Sequence, residues 1–153
     1  VAFKLSRELT SWDIPTIESS IEWMAPSFEL VDCHYETYQM KIVDTIADNA
    51  ACAGIILGEP VEYGSTDLSQ VWLSLTRDGE EITNGVGGNV MGNPINAVAW
   101  LAKTAIEQDI PLQAGELILP GSIGLIMWFD FGPTYRAEIS GVGSVTARFE
   151  EAK

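Results

Sequence analysis

The sequence predicts an α+β domain, rich in strands, with one long helix packed on a mixed sheet. Short apolar segments with period-two alternation recur along the chain. Fourteen glycines and seven prolines supply the breaks between them. Residues 94–108 hold a helical apolar period for several turns, and no other segment does so as clearly.

The chain opens with "VAFKLSREL", where Val1, Phe3 and Leu5 oppose Ala2 as in a strand. "DIPTIESSIEWMA" puts Ile17, Ile21 and Met24 on one helical face, with Asp13 or Thr16 as cap. A short helix is therefore expected there, ended by Pro26. "SFELVDCHYE" alternates as a strand: Glu29 shares a face with Val31, Cys33 and Tyr35, and Phe28, Leu30, Asp32 and His34 take the other. This places one carboxylate among apolar neighbours. Residues 45–53 are alanine-rich and predict a helix closed by Gly54, with a short buried strand over residues 55–57.

"VWLSLTRDGEEIT" alternates through Val71, Leu73 and Leu75 and then turns at Asp78-Gly79, the pattern of a tight hairpin. "NGVGGNVMGNP" reads as a loop of positive-φ glycines leading into the long helix. Asn93 caps that helix and Pro94 occupies its first turn. Ile95, Val98, Ala102, Ala105 and Ile106 form its apolar side. Strands near residues 117–119, 135–139 and 144–149 complete the pattern. There is no internal repeat and no linker, so residues 1–153 read as one domain.

Composition narrows the function. Hydrophobic residues make up 46% and charged residues 20%, which excludes a disordered chain. The net charge of −14 repels phosphate backbones and anionic membranes, so neither nucleic acid nor membrane is an expected partner. Cys33 and Cys52 make neither a disulfide framework nor a CxxC zinc site, which favours a reduced, cytoplasmic setting. No secretory signal is read at the start, and the longest apolar run, "IGLIMWF", is too short to span a bilayer. The first residue is not methionine, so the chain is either processed or part of something longer.

Several chemistries fall away. His34 is the single histidine, which excludes a histidine-rich metal centre, and no G-x-S-x-G elbow accompanies it. Its bland reading is a hydrogen-bonded structural residue. "GVGGNVMG" lacks the Walker lysine and the G-x-G-x-x-G spacing. Oxygen ligands remain. A carboxylate buried at Glu29 must pair, protonate or bind a cation. A hard divalent ion would suit it but needs further ligands.

The blocks "FELVDCHY", "KIVDTIADNAACAGIILG", "GNPINAVAWLA", "PLQAGELILPGS" and "GVGSVTARF" occur in order along essentially the whole chain. Together they resemble the 2-keto-4-pentenoate hydratase branch of the fumarylacetoacetate hydrolase family. The resemblance implies a fumarylacetoacetate-hydrolase-like roll and a divalent metal, Mg2+ or Mn2+, held by three acidic residues. Its downstream ligand motif matches "ELVD", which makes Glu29 the implied metal ligand. The other two ligands belong to an E-x-E pair expected immediately before Val1. Residues 1–153 are thus implied to be the C-terminal catalytic portion of the fold, with the N-terminal part absent from this chain.

The chemistry implied is hydration of a 2-hydroxy-2,4-dienoate to a 4-hydroxy-2-oxo acid in aromatic-compound catabolism. Asp48 and Asn49 in the "ADN" block and Ser122 in the "PGS" turn are the implied substrate-orienting residues. Capping or turn bonding is the alternative for Asp48 and Asn49. Lys41 lies near the same block, where a solvated lysine is the simpler reading. No proton-transfer residue is assigned within this chain. His34 stands where relatives often carry arginine, and Ala51 where many carry serine. A 2-oxo-3-enedioate decarboxylase, or a truncated assembly module without activity, are the competing readings. Self-association into a homo-oligomer is a further implication.

Overall fold

A computed structural model describes residues 1–37, 39–64 and 66–151. Its strands form three sheets, and every ladder in them is antiparallel. The first sheet joins β1 (Ala2–Leu5), β2 (Ile21–Ala25) and β7 (Leu117–Ile118), with β1 in the centre. The second pairs β3 (Ser27–Val31) with β4 (Cys52–Leu57). The third runs β6-β5-β8-β9, from β5 (Trp72–Arg77), β6 (Glu80–Val86), β8 (Thr134–Ile139) and β9 (Gly143–Arg148). Helices α1 (Ile14–Glu18), α2 (Ile42–Ala47) and α3 (Pro94–Glu107) complete an α+β fold.

The core gathers where β1, α1 and α3 meet. Phe3, Leu5, Leu9, Ile17 and Val98 are fully buried there. Asn93 Oδ1 accepts the Ile95 amide at 3.0 Å, which starts α3 at the expected cap. The helix buries Ile95, Val98, Ala102 and Ala105, and Ile106 is half-buried beside them. The Asp78-Gly79 turn also forms as expected, with φ of 49° and 90° at its two residues.

Two helix expectations are corrected. The first helix stops after Glu18, and Ile21 and Met24 belong to β2 instead. The hydroxyls of Ser19 and Ser20 both bond the Thr16 carbonyl, at 3.0 and 2.7 Å, and compete with continued helix. β1 then captures the following residues, pairing Phe3 with Met24. The alanine-rich helix spans Ile42–Ala47 rather than residues 45–53. Asn49, Ala50 and Ala51 all turn left-handed, with φ of 52°, 57° and 59°. That turn reverses the chain so that β4 can pair with β3. Gly54 closes no helix; it lies within β4 opposite Leu30.

The glycine-rich loop is also built differently from expectation. Of its glycines only Gly92 has positive φ. Gly85 and Gly87 permit close approach instead: a Cβ would fall 2.2 Å from the Ile123 carbonyl oxygen and 1.8 Å from that of Leu68.

Candidate active site

One face of the four-stranded sheet forms the floor of the site. Leu73 and Leu75 alternate onto it from β5 and pair with Ile139 and Ala137 of β8. Thr83 of β6 lies opposite Leu75. Over this floor runs the segment of residues 119–129, anchored at both ends. At one end Asn89 Nδ2 donates to the Ile123 carbonyl at 2.9 Å, above Gly85, and Ser122 Oγ donates to Gly124 at 2.7 Å. At the other end Arg77 pairs with Asp130 at 2.6 Å, and the Asp130 amide donates to Tyr135 Oη at 2.8 Å. Phe129 packs on Phe149 with ring centroids 4.2 Å apart.

β3 and Val1 make the remaining wall, and the half-open cavity has a volume of about 710 Å³. Glu29 carries the one charged side chain among its described lining residues. Glu29 is nevertheless exposed, which corrects the expectation of burial within an apolar strand face. Among the described residues β3 pairs with β4 alone, and Val31 is 40% exposed beside Glu29. Cys33 and Tyr35 lie past the end of β3 and do not extend the face.

Two groups sense the Glu29 charge. Burial, and then the Glu29 carboxylate, push the Cys52 thiol above its usual pKa. At Val1 burial lowers the amine to about 6, and Glu29 opposes that shift.

The other expected site residues divide. Ser122 lines the cavity with Glu29, and Ala50 of the left-handed turn also reaches it. Asp48 and Asn49 do not line it. The Asp48 side chain is 8% exposed and is taken up by His34, whose amide donates at 3.1 Å and whose Nδ1 lies 2.5 Å away. These bonds hold the Asp48 carboxyl below its ordinary pKa against the opposing effect of desolvation. The His34 ring itself is 94% exposed, hydrogen-bonded but not packed. Asn49 donates to the Cys52 carbonyl at 3.4 Å. Lys41 is exposed at the start of α2.

Among the described residues no three His, Cys, Asp or Glu side chains converge as a metal site. Glu29 is a suitable hard oxygen donor, but alone it does not satisfy a magnesium ion. The apolar cavity wall was missed by sequence reading. Its contributors are spread from β3 to Phe149 and meet only through sheet registry.

The model of the fumarylacetoacetate (FAA) hydrolase C-terminal family matches residues 3–150. The chain belongs to the fumarylacetoacetate hydrolase family. Within it, the 2-keto-4-pentenoate hydratase of Paraburkholderia xenovorans (strain LB400) is 38% identical, over 98% of this chain and 57% of its own length. The 2-hydroxyhexa-2,4-dienoate hydratase of Comamonas testosteroni is 34% identical, over 99% of this chain and 58% of its own length. The 4-oxalocrotonate decarboxylase from Pseudomonas putida G7, complexed with magnesium and adipate, superposes with a TM-score of 0.89 at 26% identity. That match covers 97% of this chain and 57% of the decarboxylase. This chain therefore spans little more than half the length of these family members.

Proposed function

We propose that this chain is the C-terminal catalytic portion of a metal-dependent hydratase. Its reaction adds water to a 2-hydroxy-2,4-dienoate and gives a 4-hydroxy-2-oxo acid. The observation that carries the reading is Glu29, a lone carboxylate opening onto a substrate-sized cavity beside Val1. The names of the relatives at 38% and 34% identity agree with hydration. In the longer protein, carboxylates just upstream of Val1 would complete the ligand set for a divalent cation with Glu29. Magnesium bound to the related decarboxylase supports that choice of ion.

A bound cation would supply positive charge against negative charge developing on a substrate oxygen. The chain's own residues do the rest. Glu29, by helping to hold the cation, would fix where the acid end of the substrate sits. Ser122 offers a hydroxyl on the same cavity, while Asn49, whose amide bonds the Cys52 carbonyl, stays in the adjoining turn. Asp48, already engaged by His34, acts by holding that turn in place. Water then adds to the conjugated double bond within the walled cavity.

The likeness to the decarboxylase favours a second reading, loss of carbon dioxide from a 2-oxo-3-enedioate. The single carboxylate in the described site favours a third, an assembly module without activity of its own. Self-association as a homo-oligomer in the cytoplasm belongs to the same proposal. The exposed Ile42, Val43 and Ile46 on α2 support an associating surface. No helix among the described residues is long and apolar enough to cross a membrane.

The deciding experiment follows dienoate absorbance with the full-length protein, with and without chelator. Magnesium-dependent decay that forms the 4-hydroxy-2-oxo acid, and is lost in Glu29→Gln, is the expected result. Carbon dioxide release would move the reading to the decarboxylase. Chelator-insensitive decay at the same rate in both proteins would falsify the role of Glu29.

A further inference from the structure

The β3–β4 ribbon carries Glu29 to the cavity, and its two ends are held differently. At the Ser27 end the Gly58 amide donates to the Pro26 carbonyl at 2.8 Å. Gly58 also lies against β9, so close that a Cβ would fall 2.4 Å from the Ser144 carbonyl oxygen. That end is seated on the four-stranded sheet. The other end closes through the turn of residues 48–51. There the Asp32 amide donates to the Ala51 carbonyl at 2.9 Å, one step beyond the Val31–Cys52 pair. A two-stranded ribbon is marginal by itself, so the position of this end depends on the turn that closes it.

The turn is not one its residues favour. Asn49, Ala50 and Ala51 are left-handed in succession, with φ of 52°, 57° and 59°, and none is glycine. Left-handed backbone brings Cβ against the following carbonyl oxygen, and an alanine has no side-chain bond to offset this. Strain of this kind persists where the surroundings over-determine the backbone. Asp48 does so at the entry to the turn, where its carbonyl accepts the Ala51 amide at 2.8 Å. Both oxygens of its carboxylate are taken by His34, Oδ2 by the backbone amide at 3.1 Å and Oδ1 by Nδ1 at 2.5 Å. An ionised carboxylate accepts only, so Nδ1 is the donor.

We propose that His34 is a positioning residue of the site: through Asp48 it clasps the left-handed turn, and so holds Glu29 and Ala50 in place on the cavity wall. With the clasp released, the turn relaxes toward right-handed backbone, the Ala51 carbonyl leaves the Asp32 amide, and the ribbon frays toward Glu29. His34 is not among the residues lining the cavity, and it acts through Asp48. The proposal rests on the hydratase reading for the ion that Glu29 would help to hold. The clasp on the turn does not depend on that reading.

The test compares the unaltered full-length protein with His34→Ala, His34→Asn, and His34→Ala combined with Ala51→Gly. Asparagine places an amide donor where Nδ1 stands, without the ring or its charge. Glycine takes left-handed backbone without strain, so the turn no longer needs the clasp. Ala51 is outside the cavity lining. In His34→Ala, amide exchange over residues 29–32 and 49–54 should quicken at least about tenfold, while α3 exchanges as before. Calorimetry should show the Kd for magnesium rising about tenfold in the same variant, the loss expected when a ligand is left unsupported. The other two variants should return both readouts close to those of the unaltered protein. Unchanged exchange in His34→Ala would overturn the proposal, as would quickened exchange with magnesium affinity intact. Failure of either restoring variant would overturn it too, since ring, charge or direct contact would then be what His34 supplies. Quickened exchange in α3 would show a general loss of fold and remove the clasp. Hydration is assayed separately. Magnesium binding without hydration removes the reaction and leaves the clasp to stand on exchange and affinity. Hydration that His34→Ala leaves intact, with exchange also unchanged, keeps the reaction and removes the clasp. No magnesium binding by the unaltered protein would overturn both.

Discussion

His34 and Asp48 lie fourteen residues apart and meet because the left-handed turn at residues 49–51 folds the chain back along β3. The ring contributes little by burial, so its effect on Asp48 comes mainly through the hydrogen bond and is local. His34→Ala should raise the Asp48 carboxyl pKa toward its ordinary value of 3.8, as followed by carboxyl carbon chemical shifts across an acid titration. The sign of the linked stability is fixed by that depression. Stabilisation from Asp48 is present above the ordinary aspartate pKa and is lost as pH falls through the lower folded value. An unchanged Asp48 titration in His34→Ala would show that the pair is not formed in solution.

α3 shows how an element serves the site without touching substrate. It buries Val98 completely in the main core and has no residue among those lining the cavity. Val98→Asp should lower the unfolding free energy by about 3 kcal/mol or more, through a buried charge with no partner. Urea unfolding measures this, and an unaltered midpoint would remove α3 from the core. The glycine turn before α3 makes a separate demand. A methyl at Gly87 would overlap the Leu68 backbone oxygen, and backbone cannot swing aside as a flexible side chain can. Gly87→Ala is therefore expected to destabilise by about 1–3 kcal/mol, the usual range for overpacking. Because the same turn carries Asn89, whose amide holds Ile123, this variant should also loosen the cavity roof. Faster amide exchange over residues 121–125 would report it.

Over the whole molecule, the site is assembled from one end of the chain to the other, from Val1 to Phe149. Among the described residues that line it, only Glu29 carries a carboxylate. The 153-residue chain by itself should bind magnesium weakly, because magnesium keeps its water unless several anionic oxygens replace it. Calorimetry of the short and full-length proteins should show much tighter magnesium binding only in the longer one. Equal binding would mean that upstream carboxylates contribute nothing. Exposed apolar side chains point the same way. Leu125, Ile126 and Trp128 are 74%, 75% and 85% exposed, more than an isolated soluble domain usually leaves in one stretch. The isolated chain is expected to bind a hydrophobic dye and to self-associate in light scattering. The full-length protein should bind less of the dye.

Much of the local architecture is legible in residue order. Asn93-Pro94 and the spacing of Ile95, Val98 and Ala102 determine α3, and Asp78-Gly79 determines the hairpin, because caps and tight turns depend on neighbouring residues. The motif blocks also identify the family, and "ELVD" brings Glu29 forward as a candidate ligand. Other features required the tertiary structure. Ile21 and Met24 satisfy a helical period, yet β1 claims them as a strand, since a ladder partner outweighs weak intrinsic propensity. The exposure of Glu29 follows from β3 and β4 forming a two-stranded ribbon among the described residues, which no local pattern encodes. The cavity was hidden for the same reason. Leu75, Thr83, Phe129 and Phe149 become one wall only when sheet registry and the anchored roof bring distant residues together.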